Sequence, residues 1–141
     1  MYLFSALLAI LGGVAYHYFV KRIPATIHPV VSIVGIYVVV LLLSSALLAL
    51  FPPVEGYRFH FRQLSWVQLG VAVSVFSLEL GFILMYRVGW HLSNATLVTG
   101  VFINLIVVGL GLFLFQEKVS LVNAIGIILS IIGVAMITYS P

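Results

Sequence analysis

Long apolar runs alternate with short polar clusters along the chain, and there are five such runs. The hydrocarbon core of a bilayer is about 30 Å thick, so a helix needs roughly 20 apolar residues to cross it. Unbroken apolar stretches such as 38–43 and 105–110 do not alternate as barrel strands do, and helices satisfy their own backbone in lipid. The pattern predicts an all-α, polytopic membrane protein, one domain over residues 1–141, with five transmembrane helices at 2–20, 30–50, 64–86, 94–115 and 119–139.

Turn and cap residues mark the ends of several predicted helices. A basic turn that ends in Pro24 closes the first helix, Pro29 suits the first turn of the second, and the pair 52–53, both proline, ends it. Ser93 or Asn94 is expected to cap the fourth helix. The stretch that follows the two prolines, up to residue 63, is expected to be a loop.

Composition narrows the class of protein further. The chain is 64% hydrophobic and only 6% charged, whereas a soluble domain carries about 25% charged residues. Cysteine and aspartate are absent, and no zinc-site spacing or nucleophile elbow occurs, so we expect no metal, no cofactor and no enzymatic activity. The cations follow the first apolar run instead of preceding it, which argues against a cleaved signal. They form no stripe, so nucleic acid is not an expected partner.

The cations are shared evenly between the two sides of the predicted bundle. Three lie in loops on the side of the N-terminus and three in loops on the other side: Arg58, Arg62 and Lys118 against Lys21, Arg22 and Arg87. The excess of Lys and Arg that orients most membrane proteins is therefore zero. We expect insertion in both orientations, as an antiparallel homodimer requires. A single orientation, fixed by the paired cations after the first helix or by an unseen partner, is the alternative.

Glu79 is the one acidic residue inside a predicted span. A charged side chain at the centre of a membrane helix costs about 2.5–3.5 kcal/mol. At 100° per residue Glu79 points away from the small residues of its helix, which run from Gly70 to Gly81, so we expect that stripe to pack and the face of Glu79 to line an aromatic-walled cavity. Such a carboxyl can exchange a proton for a cation. A glutamic acid hydrogen-bonded between helices, or a salt bridge to Arg87 or Arg62, is the alternative.

Small residues recur at helical spacing in the first, third, fourth and fifth spans. Such residues let membrane helices approach closely, and most of the stripes are expected to serve packing within the chain. The longest regular run is in the fifth span. We expect Gly126, Ser130 and Gly133 of that run to form a dimer interface.

The last third of the chain carries a succession of short motifs. They are Met85-Tyr86-Arg87, then LSNATL at 92–97, FLFQEKVS at 113–120 and GIILSIIGV at 126–134. The succession resembles the end of an EamA-like half of the drug/metabolite transporter superfamily, which closes with a tyrosine, a small-residue helix start, a turn bearing glutamate and a final helix with two spaced glycines. The resemblance is specific over 65–139.

The resemblance implies a transporter built as one half of an inverted pair, with Glu117 in a turn. Most members join two halves into ten helices, while the related small multidrug resistance proteins pair separate chains. Their glutamate in the first helix has no counterpart here, so Glu79 is a positional substitute. Asn104, where many members have a proline, and Tyr86 are expected cavity contacts. Tyr86 and Tyr16 fall at predicted interfaces, so each is either a cavity contact or an interfacial anchor.

Two classes of function follow. The first is a proton-coupled transporter, an antiporter of the inner or plasma membrane, which moves small metabolites or cationic or amphipathic compounds by alternating access as an antiparallel homodimer. Its partners are the lipid bilayer, the small-molecule substrate and protons. The second is a non-transporting scaffold subunit of a larger membrane complex. A transporter loses coupled flux on Glu79→Gln, whereas a scaffold tolerates that change and co-purifies with another protein.

Overall fold

The computed structural model describes residues 2–116 and 120–139, and in this part of the chain every regular element is an α-helix, as predicted. The described helices, in chain order, are α1 (Tyr2–Lys21), α2 (Pro29–Leu50), α3 (Tyr57–Arg62), α4 (Trp66–Arg87), α5 (Leu92–Leu114) and α6 (Leu121–Tyr139). Each predicted span coincides with one helix to within two residues at either end.

Four of these helices, α1, α2, α4 and α5, are long and apolar enough to cross a membrane, with 19 to 23 residues each. The described apolar part of α6, Val122–Met136, is shorter. Large apolar side chains lie open on these helices, among them Leu3, Leu50 and Phe113, which is 86% exposed. Exposure of such side chains to water is unfavourable, whereas lipid tails accommodate them. The helices therefore indicate a multi-pass membrane protein.

The ends of α2 are set by proline at both sides. Pro29 occupies its first turn, where a missing N–H costs nothing, and His28 precedes it in extended conformation. At the other end Phe51 donates its backbone N–H to the carbonyl of Leu47 at 2.9 Å, and Pro52 follows. Proline therefore begins and ends α2 as the sequence predicts.

The loop between α2 and α4 contains a helix that the hydrophobic pattern did not predict. This helix, α3, has six residues, and aromatic side chains alternate in it with arginine and histidine. Gly56 precedes it with φ of +80°, a backbone conformation that favours glycine. The Tyr57 hydroxyl donates to the carbonyl of Leu48 at 3.3 Å and so ties α3 to the last turn of α2.

A capping box fixes the start of α4. The Ser65 Oγ accepts from the N–H of Val67 at 3.3 Å, and the Ser65 N–H donates to the Gln68 side chain at 2.8 Å. After its other end Gly89 has φ of +96°, a backbone conformation that favours glycine.

The predicted cap of the fourth span is wrong. The helix begins at Leu92, and the residue before it, His91, makes no side-chain cap bond. Ser93 and Asn94 therefore lie inside the first turn. Glu117 and Lys118, expected in the following turn, lie outside the described residues, as does Val119, where the fifth predicted span begins.

The chain divides into two compact units. One comprises Phe19–Val88, in which α2 packs against α4. The other comprises Met1–Tyr18 and Gly89–Pro141, in which α5 packs against α6. The most deeply buried large side chains, Ile33 on α2 and Ile83 on α4, belong to the first unit, so the contact of these two helices is its core.

Candidate functional site

The carboxyl group of Glu79 is buried in the unit formed by α2 and α4. Its residue is only 7% exposed, and it shares the buried face of α4 with Phe82 and Ile83. Glu79 is the buried charged residue among those that the structure describes. Its Oε2 atom is enclosed and makes no hydrogen bond with any of them. A buried polar atom of this kind requires a physical explanation.

Tyr37 of α2 is the polar group that Glu79 faces. The two side chains interact electrostatically, but the Tyr37 hydroxyl is itself enclosed and has no completed hydrogen bond within the described part of the chain. Tyr37 lies eight residues after the start of α2, and Glu79 lies eight residues before the end of α4. Eight residues of helix span about 12 Å. The hydroxyl and the carboxyl therefore meet at one level within the apolar helix pair.

The prediction of which face of α4 packs within the chain is wrong. The stripe of small residues was expected to pack, but Gly70, Ser74 and Ser77 are exposed, and a Cβ added at Gly70 or Gly81 would meet nothing within 4 Å. The face that packs is the one that carries Glu79, because the adjacent Phe82 and Ile83 supply the large apolar area. Glu79 thus lies between α2 and α4, on the face of α4 that packs.

Tyr86 lies on the same face of α4, two turns beyond Glu79. Its ring stacks on Phe82 with centroids 6.0 Å apart, and the Lys21 Nζ stands 5.7 Å from the Tyr86 ring centroid. A cavity of about 190 Å³ opens here, lined by Val20, Lys21, Ile23, Ala25, Ile83, Tyr86 and Arg87. A cationic ligand that used the Tyr86 ring would therefore compete with Lys21 for it.

Arg87 is held by the backbone and not by Glu79. Its guanidinium donates to the carbonyl of Ile27, just before α2 begins, which places the end of α4 beside the start of α2. Glu79 makes no ion pair with any residue that the structure describes, so the salt bridge to Arg87 or Arg62 is not formed there. The carboxyl has no counter-ion among these residues.

The remaining predicted site residues belong to the other unit. Asn104 lines a groove of about 450 Å³ between α5 and α6, together with Gly126 and Ser130 of the predicted dimer interface. Asn123 contributes a second carboxamide to this groove, and neither carboxamide makes a side-chain hydrogen bond to a described residue. The Ser130 hydroxyl donates to the carbonyl of Gly126 at 2.8 Å. The groove is thus a mostly apolar opening between α5 and α6 that carries two carboxamides and one hydroxyl.

Tyr16 and Gly133 lie apart from that groove lining. Tyr16 is half-buried on α1, and its ring meets the edge of the neighbouring His17 ring at 5.0 Å. Gly133 is half-buried on α6, and a Cβ added there would meet nothing within 4 Å. The structure therefore brings Glu79 and Tyr86 together on one face of α4, and Asn104 together with Gly126 and Ser130.

Sequence reasoning missed Tyr37. It interrupts a run of apolar residues without adding charge, so hydropathy does not reveal it. The available signal was its depth: most tyrosines of this chain fall near span ends, where aromatic rings anchor a helix at the interface, whereas Tyr37 lies well inside α2.

The potential metal-ligating side chains are scattered over the described part of the chain. Within residues 2–116 and 120–139, no three His, Asp or Glu side chains come together in a way that could hold a metal ion. The polar groups that do meet are a carboxyl and a phenol, which can exchange protons or accept an organic cation.

An all-helical, multi-pass membrane protein with an acid buried between two of its apolar helices is the class that these features define. Comparison of the chain with protein-family profiles, with curated proteins and with solved structures finds no match.

Proposed function

We propose that this chain is a membrane transporter in which Glu79 binds a proton and a cationic substrate in alternation. The observation that carries the proposal is the buried carboxyl of Glu79, which faces the Tyr37 hydroxyl between two helices long and apolar enough to cross a membrane. Its Oε2 atom is enclosed without a hydrogen bond, and the carboxyl has no counter-ion among the described residues. An ionisable group at such depth is costly and marks a path for ions or substrate by default.

The chemistry of the site favours a cationic, partly aromatic substrate. A carboxyl offers one negative charge, and the stacked Phe82 and Tyr86 rings extend the same face of α4. Aromatic faces attract cations. Desolvation disfavours the charged carboxylate when it is alone, and a bound proton or a bound cation removes that cost. Because both neutralise the same group, they compete, which is the basis of antiport.

The proposal includes five membrane spans and the EamA-like half, which needs a second half for alternating access. Two copies in opposite orientations supply it, consistent with the even distribution of cations between the two sides. We place this homodimer in the inner or plasma membrane. Gly126, Ser130 and Gly133 remain the predicted contact between copies, with Asn104, Tyr16 and Tyr86 as predicted cavity contacts.

The test is transport of a lipophilic aromatic cation into proteoliposomes. Tetraphenylphosphonium flux is driven by an imposed pH gradient, and proton counterflow is followed with an entrapped pH indicator. Glu79→Gln keeps the size and hydrogen-bonding capacity of the side chain but cannot ionise, so flux and counterflow are both expected to fall at least tenfold.

The matched control is Glu55→Gln, which removes the carboxylate of an exposed loop residue. It is expected to leave flux within twofold of the unmodified chain. Equal flux from the Glu79 and Glu55 variants, with helical circular dichroism unchanged in both, contradicts the proposal. If the chain then co-purifies in fixed ratio with another membrane protein, the scaffold alternative takes its place.

A further inference from the structure

The second cavity of the Phe19–Val88 unit lies away from Glu79, at the other end of α4. It has a volume of about 220 Å³ and is lined by Leu48, Pro53, Tyr57, His60, Phe61 and Leu64. This volume is about seven times the share of one water molecule in liquid water. Its walls are almost wholly apolar side chains, so it accommodates hydrocarbon better than a polar ligand.

The helix α3 forms one wall of this cavity and also carries two arginines, Arg58 and Arg62. Tyr57, His60 and Phe61 are spaced by three and four residues, so they share the face of α3 that meets the cavity, and Leu64 lies two residues beyond the end of this helix. Arg58 and Arg62 are four residues apart and lie next to one another on an adjoining flank. Both are exposed, and neither makes a hydrogen bond or ion pair with a described residue.

The position of α3 along the chain places it at the membrane surface. It lies between the end of α2 and the start of α4, both of which are long enough to cross the hydrocarbon core. Its aromatic side chains suit the headgroup level, where amphipathic rings concentrate. The phosphates of lipids lie at this same level, and acyl chains begin just below it.

We propose that α3 and the cavity beside it form a binding site for an anionic phospholipid. Arg58 and Arg62 hold the phosphate, and one acyl chain enters the cavity lined by Leu48, Phe61 and Leu64. Guanidinium groups suit phosphate oxygens because they offer several donors in a fixed plane. The opposing charge nearby is Glu55, two residues before α3, which leaves the pair of arginines in excess. The site does not depend on the proposed transport activity.

Trp66 makes the proposal directly measurable. It opens α4 four residues after Arg62 and is 80% exposed. Trp90→Phe removes the other tryptophan, so that Trp66 alone reports. Vesicles contain phosphatidylcholine with brominated acyl chains, which quench a neighbouring indole, and unbrominated phosphatidylglycerol is added to displace them. The displacement curve gives the affinity of phosphatidylglycerol relative to phosphatidylcholine at this site.

Each arginine near a membrane surface is expected to favour an anionic lipid by about fivefold, so the two together give about 25-fold. Arg58→Gln and Arg62→Gln should each lower the preference about fivefold, and the double lysine variant at these positions should keep most of it. Arg22→Gln removes a cation from a different loop and should leave it unchanged. Leu48→Phe, which fills the cavity without changing charge, should weaken lipid binding. Unchanged monodispersity and circular dichroism show that each variant is folded.

Several outcomes overturn the proposal. One is a relative affinity near one in the unmodified chain. Another is an equal loss of preference in Arg22→Gln and Arg58→Gln, which reduces the effect to general surface charge. No effect of Leu48→Phe removes the acyl-chain part of the site. Millimolar inorganic phosphate that abolishes the preference shows that the site takes free phosphate and not a lipid headgroup.

Discussion

Glu79 and Tyr37 place polar atoms among side chains that offer them almost no hydrogen-bond partners. The enclosed atoms of this unit that lack a hydrogen bond to the described residues are Ser32 Oγ, Tyr37 Oη, Glu79 Oε2 and Arg87 Nε. In lipid each unsatisfied polar group costs several kcal/mol. All of them lie on α2 or α4. A proton or cation bound at Glu79, as the proposed function requires, would offset the part of this cost that the carboxyl carries.

Removing the Tyr37 hydroxyl tests whether this residue belongs to the site. Tyr37→Phe keeps the ring and deletes the polar group that faces Glu79. We expect this hydroxyl to donate to the Glu79 carboxylate when a cation is bound there, although it completes no hydrogen bond to the described residues on its own. A net hydrogen bond contributes about 1 kcal/mol, which corresponds to about fivefold in affinity. Tetraphenylphosphonium binding, measured by equilibrium dialysis of the purified protein, is expected to weaken by about that factor.

Tyr18→Phe is the matched control, because Tyr18 is an exposed tyrosine near the end of α1, a different helix from that of Tyr37. Its affinity should equal that of the unmodified chain. The same affinity for both variants would exclude Tyr37 from the site and leave the carboxyl to act alone.

At the scale of single residues, the sequence predicts the importance of Glu79 and does not predict that of its neighbour Tyr37. Glu79 stands out because a carboxyl interrupts an apolar run, and its depth follows from counting residues. Which face of α4 it occupies relative to α2 does not follow, because both faces contain residues able to pack. The large side chains Phe82 and Ile83 decide the outcome by burying more area than glycine and serine can.

The helices themselves are set by length, apolar character and local end signals. Pro29 begins α2, and the capping box of Ser65 and Gln68 begins α4. The box was detectable, since serine followed three residues later by glutamine precedes an apolar run. The start of α5 was not, because His91 leaves no side-chain bond, and the potential caps Ser93 and Asn94 follow it within the helix.

Loss of the capping box should destabilise α4 measurably. Ser65→Ala removes the acceptor for the Val67 N–H, and such a change costs about 1 kcal/mol. Thermal unfolding in detergent, followed by circular dichroism, should show a midpoint lower by a few degrees. The control Ser45→Ala removes a hydroxyl that donates to the Leu41 carbonyl inside α2, and this variant should unfold at the unmodified temperature. A lower midpoint in both variants would show a general effect of serine removal.

Helix α3 shows the limit of hydropathy at the scale of elements. Its six residues alternate aromatic side chains with arginine and histidine and are too few for a span. The Tyr57 hydroxyl bonds to the carbonyl of Leu48, and such a non-local contact cannot be read from a short segment.

At the scale of the whole molecule, the five predicted spans give no charge bias that would fix the orientation of insertion. Counted over these predicted spans, the cations divide three to three between the two sides. In this cysteine-free chain, single cysteines can be introduced at Val54, in the segment between α2 and α3, and at Val88, directly after α4; both positions are highly exposed. Insertion in both orientations predicts that an impermeant thiol reagent labels about half of each variant in intact cells.

The two positions check each other, because one precedes α4 and the other follows it, so that a membrane-crossing α4 places them on opposite sides of the membrane. A single orientation gives full labelling of one variant and none of the other, which contradicts the antiparallel homodimer. Full labelling of both after the membrane is permeabilised is the control for reagent access.

The α5–α6 groove also has a consequence for biogenesis. Asn104 is translated before α6, whose Asn123 and Ser130 complete the groove. During synthesis, the Asn104 carboxamide therefore emerges before the polar groups that face it in the finished groove. We expect the groove to form only when α6 docks on α5, so that its formation is a late step of assembly.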